Sequence, residues 1–225
     1  MSDLRRTSLA RNSPLTRARM RIADWRQRGV YAGYPDRHRC IFIHVPKAAG
    51  SGIAQALFGE GSRHVTYFEY EQANPDKFER YFKFAFVRNP WDRLVSSYFY
   101  LRSGGSGEED GRWAERHLAQ FPDFSAFVNG WLTEENIWSG IHFVPQHYFV
   151  RDGALRVRMD FIGRVESIAD DFRTVCERLG IKAELPHANG SEHRHYSEYY
   201  TRALKERVAS VYAADISTFG YRFEA

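Results

Sequence analysis

Apolar residues along the chain follow two different periods. Mainly apolar runs at Ile41–Val45 and Lys83–Val87 predict buried strands. Shorter runs predict strands at His147–Val150 and Phe161–Gly163, and His64–Tyr67 is expected to be a short extended segment. Apolar positions that repeat every three or four residues predict helices instead. These helices are expected at Thr16–Arg28, Ser51–Phe58, Pro75–Tyr81, Trp91–Leu101, Arg112–Leu118, Phe124–Thr133, Ser167–Leu179 and Thr201–Tyr212.

Residues suited to helix ends support some of these boundaries. Asn74 is a predicted N-cap, because its side chain can accept from the first turn and Pro75 suits the first helical position. Gly180 supplies a stop for the helix that precedes it. The stretch Ser103–Gly111 (SGGSGEEDG) is polar and rich in glycine, so it is predicted to be a mobile loop.

Strands interleaved with helices predict an α/β fold with right-handed crossovers. We predict a single P-loop-like domain over residues 40–225, with a central, mainly parallel sheet flanked by helices. Residues 1–39 are predicted to form a separate N-terminal basic arm or helix. The chain shows no internal repeat, and its 225 residues are enough for one large domain with a sizeable core.

Composition and charge narrow the class of protein. The net charge of +4 favours acidic ligands but does not by itself indicate nucleic acid, and basic residues outside the N-terminus are dispersed. No run approaches the length of a membrane span, and residues 1–29 lack the apolar core of a signal peptide. The expected location is therefore cytoplasmic. The arginine-rich start is either a solvated arm or a basic helix that touches a membrane surface.

The cysteines fit the same compartment. Cys40 opens an apolar strand and Cys176 lies in an amphipathic helix, so both are predicted to be buried free thiols. Neither has the spacing of a metal ligand, and no metal site is predicted.

The first candidate motif follows the first predicted strand. Pro46–Gly52 (PKAAGSG) joins this strand to a helix, an arrangement that aims backbone N–H groups and the helix dipole at one point. Lys47 adds a charge, Ser51 adds a hydroxyl, and Gly50 and Gly52 permit close approach of the backbone. The lysine precedes the glycines, so this is not a Walker A loop, and an ATPase or GTPase mechanism is disfavoured.

The second candidate motif follows the second predicted strand. Arg88 comes directly after Val87, so it is expected at the carboxyl edge of the sheet, where ligands bind in open α/β folds. Ser96 lies on the following helix and could share an anion with Arg88, and Arg93 either assists or pairs with an acid. Two such junctions predict a site that grips two anionic groups of one ligand.

Together these segments resemble a known family. Pro46–Gly52 followed by Val87–Phe99 (VRNPWDRLVSSYF) is similar to the sulfotransferases that use 3′-phosphoadenosine 5′-phosphosulfate (PAPS), in particular the chondroitin, dermatan and heparan 2-O carbohydrate branch. The resemblance covers roughly residues 40–223 and points to a soluble bacterial-type member. Further matching segments are Asp160–Ile168, Leu185–Ser191, Tyr212–Ile216 and Phe219–Tyr221.

The resemblance implies transfer of a sulfuryl group from PAPS to a hydroxyl of a carbohydrate or glycolipid acceptor, without a metal. Lys47 would neutralise the phosphosulfate, and Arg88 and Ser96 would bind the 3′-phosphate. Asn189 and Ser191 would contact the cofactor from a loop that folds over the nucleotide. The backbone that would hold the 5′ side belongs to Ala48, Ala49, Gly50, Ser51 and Gly52.

The acceptor hydroxyl needs a general base, and histidine suits this role. His64 is the first candidate, because Arg63–Tyr67 resembles the run that carries the base in heparan 2-O-sulfotransferases. His142 is the second, because Ile141–Pro145 resembles a His-Trp-x-Pro element of the chondroitin-type enzymes.

Weaker candidates for the base are Glu69 and Glu71, which solvated charge on a helix explains well. His44 lies in a strand and is better explained as a packed residue that shapes the first motif.

Three other hypotheses remain. A P-loop-like, ATP-dependent kinase predicts magnesium dependence and an acidic metal ligand after a strand. A non-catalytic nucleotide- or nucleic-acid-binding module predicts basic residues concentrated on one face. A degenerate sulfotransferase would bind the cofactor without turnover. The sequence leaves the acceptor and the oligomeric state open.

Overall fold

The strands form a parallel sheet. A computed structural model describes residues 13–185 and 194–224, and within those ranges it contains one three-stranded sheet. Its strands, in spatial order, are β1 (Cys40–Ile43), β2 (Phe82–Val87) and β3 (Phe161–Arg164). β1 pairs with β2 and β2 with β3, both in parallel. The predicted α/β class with a parallel sheet is confirmed.

Helices account for most of the remaining regular structure. The α-helices are α1 (Pro14–Trp25), α2 (Tyr34–His38), α3 (Gly50–Phe58), α4 (Tyr67–Ala73), α5 (Pro75–Arg80), α6 (Pro90–Arg102), α7 (Glu108–His117), α8 (Phe124–Trp131), α9 (His147–Val150), α10 (Ile168–Leu179), α11 (Arg202–Val211) and α12 (Ala213–Phe219). Short 3-10 helices occur at Asn136–Trp138, Val165–Ser167 and Tyr196–Tyr199. Among the described residues, no helix is both long enough and apolar enough to cross a membrane.

The chain folds as two compact units. The first runs to Val87 and resumes at Gln146, and it contains the sheet with α1 to α5, α9 and α10. The second begins at Arg88, runs to Pro145 and includes the described residues after 193. It is helical, with α6, α7, α8, α11 and α12.

The core of the first unit explains why the strand sequences are so apolar. All four residues of β1 are buried, so side chains on both faces of this strand avoid water. On one face Phe42 stacks on Phe84, with ring centroids 5.0 Å apart. Residues from α3 and α10, including Ile53 and Phe172, complete this core. Both cysteines are buried free thiols, as predicted.

The core of the second unit is aromatic. α8 buries Phe124, Phe127 and Trp131, which recur at helical spacing. The Trp131 ring stacks on Phe127 at 5.0 Å and meets Phe143 at 4.7 Å. Helix α7 is only partly buried. Its Trp113 packs edge-on against Trp131, and this contact joins α7 to the core.

Two sequence predictions about secondary structure are wrong. His147–Val150 is helical, because the Arg151 N–H donates to the His147 carbonyl at 2.8 Å, a bond between residues four apart. Ser103–Gly111 is not a loop throughout, since α7 already begins at Glu108. Three acidic residues in the first turn of α7 favour its start there through the helix dipole.

Other boundaries agree with the sequence or differ in detail. The Asn74 side chain accepts from the Lys77 N–H at 3.1 Å and caps α5, and Gly180 ends α10 in the left-handed conformation. The segment predicted to be extended, His64–Tyr67, ends instead at a helix start: α4 begins at Tyr67.

Candidate functional site

The loop between β1 and α3 has an alternating backbone. Lys47 and Ala49 have positive φ angles of 65° and 60°, whereas Ala48 and Gly50 between and after them do not. Alternation of this kind is the backbone pattern of a general anion-binding loop, and here the Ala48 N–H is already used, because it donates to the Val45 carbonyl at 3.3 Å. The nine-residue helix α3 begins at Gly50, so its N-terminal dipole contributes at the same loop.

Gly50 is required at its position because His44 occupies the adjacent space. A Cβ on Gly50 would lie 1.9 Å from His44 Cδ2. His44 is buried, at 6% exposure, and its ring stacks on Phe42. Gly52 differs, since no atom lies within 4 Å of the position its Cβ would take. His44 is therefore the packed residue predicted from the sequence, and it sets the path of the loop.

His64 lies beside His44 and is oriented by it. The two rings are 4.2 Å apart, and His64 Nδ1 is 2.9 Å from the His44 carbonyl oxygen. A carbonyl can only accept, so Nδ1 of His64 carries the proton, and in the neutral ring Nε2 has the lone pair. The Ser62 hydroxyl lies 2.8 Å from His44 Nδ1, which fixes the His44 ring in turn. His64 is half-buried.

The two glutamates near His64 have other roles. Glu69 accepts from the Thr66 N–H at 2.9 Å and closes a capping box at the start of α4. Glu71 forms an ion pair with Arg158 at 3.0 Å. These contacts give both carboxylates a structural role.

Arg88 directly follows β2 and is held by the first turn of α6. Its Nε donates to Asp92 Oδ2 at 2.7 Å and its Nη2 to Asp92 Oδ1 at 2.9 Å. Both side chains are only 17% exposed, so this bidentate pair is largely shielded from water. Asp92 thereby fixes the plane of the guanidinium.

The next residues of α6 turn inward. Ser96 is buried, at 3% exposure. Arg93 donates from Nη2 to the carbonyl of Val144 at 2.7 Å and to that of His142 at 3.2 Å. Its surroundings lower the pKa of Arg93, chiefly through burial. These contacts give Arg93 a structural role in which it holds the segment that carries His142.

His142 belongs to a polar cluster in the second unit. Its Nε2 lies 3.0 Å from Asp110 Oδ1, and the Tyr100 hydroxyl donates to Asp110 Oδ2 at 2.8 Å. Burial raises the pKa of Asp110, but hydrogen bonds from Tyr100, the Ser106 N–H and His142 outweigh it and leave the pKa below its ordinary value. An ionised Asp110 accepts, so it holds His142 with the proton on Nε2.

The model of a sulfotransferase family matches residues 34–222. The chain belongs to this sulfotransferase family.

Curated relatives of this chain are distant. It is 24% identical to carbohydrate sulfotransferase 14 of Mus musculus, over 83% of this chain and 58% of the relative. The same protein of Danio rerio is 23% identical, over 83% and 60%. An uncharacterized protein of Archaeoglobus fulgidus is 28% identical over 48% of this chain and 75% of its own length. The chain thus spans about three fifths of the length of the two carbohydrate sulfotransferases, and no solved structure matches it significantly.

The predicted site residues fall into two groups, one in each unit. In the first unit Lys47, Ala48, Ala49, Gly50, Ser51 and Gly52 form one loop and helix start, with His64 held by His44 nearby. In the second unit Arg88 and Ser96 belong to the start of α6, and His142 joins the cluster of Asp110. Asn189 and Ser191 lie outside the described residues.

Two residues that orient the candidates were not singled out from the sequence. Asp92 follows Arg88 by four positions, and this spacing on a helix is a recognisable signal for an ion pair. Asp110 gave no such signal, because it lies in a glycine-rich stretch predicted to be a loop. Within the described ranges, no three His, Cys, Asp or Glu side chains form a group that could hold a metal.

Proposed function

We propose that this protein transfers a sulfuryl group from PAPS to a hydroxyl of a carbohydrate or glycolipid acceptor. The observation that carries the proposal is the loop after β1, which combines alternating φ angles, a lysine and a helix N-terminus in a chain of the sulfotransferase family. The names of the two carbohydrate sulfotransferases support a carbohydrate as the acceptor class.

The first loop fits the 5′ side of PAPS. Its N–H groups and the dipole of α3 suit a phosphate oxygen, and Lys47 adds a full positive charge. Charge accumulates on the bridging phosphate oxygen as the sulfur–oxygen bond breaks. A cation held at this point lowers the barrier, because its position does not have to be reorganised during the reaction.

Arg88 fits the 3′-phosphate. A guanidinium has five N–H donors, and the bidentate contact to Asp92 uses two of them. Asp92 also holds the guanidinium in one plane, which reduces the entropy lost when a phosphate binds. Ser96 is proposed to contribute its hydroxyl, and Asn189 and Ser191 are proposed as further contacts to the nucleotide.

His64 is proposed as the general base. Its proton is fixed on Nδ1 by the His44 carbonyl, so the Nε2 lone pair can take the proton of the acceptor hydroxyl. The acceptor oxygen then bonds to sulfur as the bond from sulfur to the phosphate oxygen breaks. His142 suits this role less well, because Asp110 holds its proton on Nε2 and the Nδ1 that would have to act as the base is buried.

The deciding experiment is thermal unfolding with the desulfated product of PAPS (PAP), compared with ATP and magnesium. PAP at 100 times its dissociation constant should add about 2.7 kcal/mol to the free energy of unfolding. Arg88→Ala should weaken PAP binding by roughly ten- to a hundredfold, since a charge-assisted contact is lost. The matched control Arg102→Ala, which removes an arginine from the other end of α6, should leave PAP binding unchanged.

Two outcomes would contradict the proposal. Stabilisation by ATP with magnesium and none by PAP would favour the kinase hypothesis. Binding of PAP without transfer of sulfate from PAPS to any member of a carbohydrate and glycolipid panel would favour the non-catalytic one.

A further inference from the structure

Helix α1 turns three of its large apolar residues outward. Leu15, Ile22 and Trp25 are 63%, 50% and 81% exposed, and Ala18 is exposed as well. These four positions follow each other at spacings of three and four residues, so they form one stripe along the helix. A surface helix of a globular protein normally buries such a stripe against the core. In α1 the apolar stripe faces away from the core.

The opposite face of α1 fixes this orientation. Asp24 is buried, at 7% exposure, and accepts from Lys77 Nζ at 3.1 Å and from Asn74 Nδ2 at 2.9 Å. Moving this carboxylate away from its partners would leave its charge buried without compensation, because only Lys77 would keep an ion pair, with Asp36. The ion pair therefore ties α1 to the start of α5, and rotation of the stripe toward the core is costly.

Cations border the stripe on both sides. At 100° per residue, Arg21 lies on one flank, while Arg19 and Arg26 lie on the other. All three arginines are exposed. Asp24 is the single acidic residue between positions 13 and 29, and it pairs with Lys77, which also contacts Asp36 at 2.9 Å. The outer surface of α1 is thus apolar along its centre and positive along its edges.

We propose that α1 is an interfacial helix that docks this protein on an anionic lipid surface. Apolar residues on such a helix enter the boundary between headgroups and acyl chains, and the flanking arginines meet anionic headgroups. Trp25, at the end of the helix, is a residue type that favours this boundary. A soluble polyanion would use the arginines but leave the apolar stripe in water. A second copy of the chain would place like charges against each other.

The test is sedimentation of the full chain with vesicles of phosphatidylcholine, with and without phosphatidylserine. Binding should require phosphatidylserine and weaken as salt screens the arginines. Changing Arg19, Arg21 or Arg26 to Gln should weaken vesicle binding about fivefold for each arginine removed. Trp25→Ala should weaken it roughly tenfold or more. Tryptophan emission should shift to the blue with vesicles, and Trp25→Phe should reduce that shift.

Matched controls use exposed residues elsewhere. Leu155 is 68% exposed and the side chain of Arg202 is 92% exposed, and neither lies on α1. Leu155→Ala and Arg202→Gln should bind vesicles as the unaltered chain does. All variants should keep the melting temperature of the unaltered chain, because every changed side chain is exposed.

Three results would overturn the proposal. Equal binding to neutral and anionic vesicles would show that the arginines do not recognise anionic headgroups. Binding to dextran sulfate as tight as to vesicles, and insensitive to Trp25→Ala, would indicate a polyanion site. Self-association that Trp25→Ala abolishes, without vesicle binding, would indicate an interface between copies.

Discussion

At the residue scale, Gly50 and Gly52 make a matched pair. Gly50→Ala should displace the His44 ring or the loop, because the new Cβ would lie 1.9 Å from His44 Cδ2. We expect a loss of about 1–3 kcal/mol in the free energy of unfolding and weaker PAP binding. Gly52→Ala meets no protein atom within 4 Å, so it should keep the path of the loop and gain up to about 1 kcal/mol from better helix propensity.

Urea unfolding and titration with PAP measure both effects. Equal behaviour of the two alanine variants would mean that contact with His44 does not set the path of the loop.

Replacing His64 and replacing His142 should have different effects. His64→Ala should lower the turnover of sulfate transfer by roughly a hundredfold or more and leave PAP binding intact, because the side chain is proposed to act on the acceptor proton. His142→Ala should retain more turnover but lose stability, since it breaks the contact to Asp110.

Steady-state rates with saturating PAPS, together with melting temperatures, separate the two variants. Full turnover in His64→Ala combined with a large loss in His142→Ala would transfer the role of base to His142.

At the element scale, the sheet depends on a glycine in β3. Gly163 pairs with Phe86 in β2, and a Cβ on Gly163 would lie 2.6 Å from Phe86 Cε1. Gly163→Ala should therefore push a buried ring aside and lower the free energy of unfolding by about 1–3 kcal/mol.

Gly153→Ala is the control for β3, because nothing lies within 4 Å of its added Cβ. Urea unfolding should show the loss for Gly163→Ala alone. An unchanged midpoint for Gly163→Ala would mean that Phe86 has room to move.

Helices and strands were predictable from the sequence where their burial gives a pattern that fits only one kind of element. β1 and β2 are buried on both faces, and their continuous apolar runs identify them as strands. The run at His147–Val150 is too short for periodicity to separate strand from helix, and it folds as a helix. In α7 the glycines masked a helix start that its acidic first turn favours.

The candidate site was predictable in residue type but not in local geometry. Lys47 and Ala49 have positive φ angles, which the sequence does not indicate, because residues with a Cβ rarely adopt them. The tautomer of His64 depends on a carbonyl 20 positions away in sequence, so it also required the fold. The roles of all these residues stay predictions until PAP binding and turnover are measured.

At the scale of the whole molecule, the predicted boundary at residue 40 also stays a prediction. Residues before it contribute to the first unit: Tyr31 is fully buried and donates to the Tyr70 carbonyl at 3.1 Å, and Tyr34 is 6% exposed. Burial is the main reason that the pKa values of both tyrosines lie above the ordinary value. The family match likewise begins before residue 40, at 34.

The acid stability of the whole molecule should depend on Asp110. Its pKa in the folded chain lies below the ordinary 3.8, so its contribution is fully present above 3.8 and is lost as pH falls through the folded-state value. Asp110→Asn should lower the free energy of unfolding by about 1–3 kcal/mol at neutral pH, because the contacts to Tyr100 and His142 lose a charged acceptor. The difference from the unaltered chain should shrink below pH 3.8. Asp170→Asn, at a carboxylate 78% exposed, should change little at any pH. Urea midpoints measured from neutral to acid pH test this, and a gap for Asp110→Asn that stays constant with pH would show that its ionisation does not stabilise the fold.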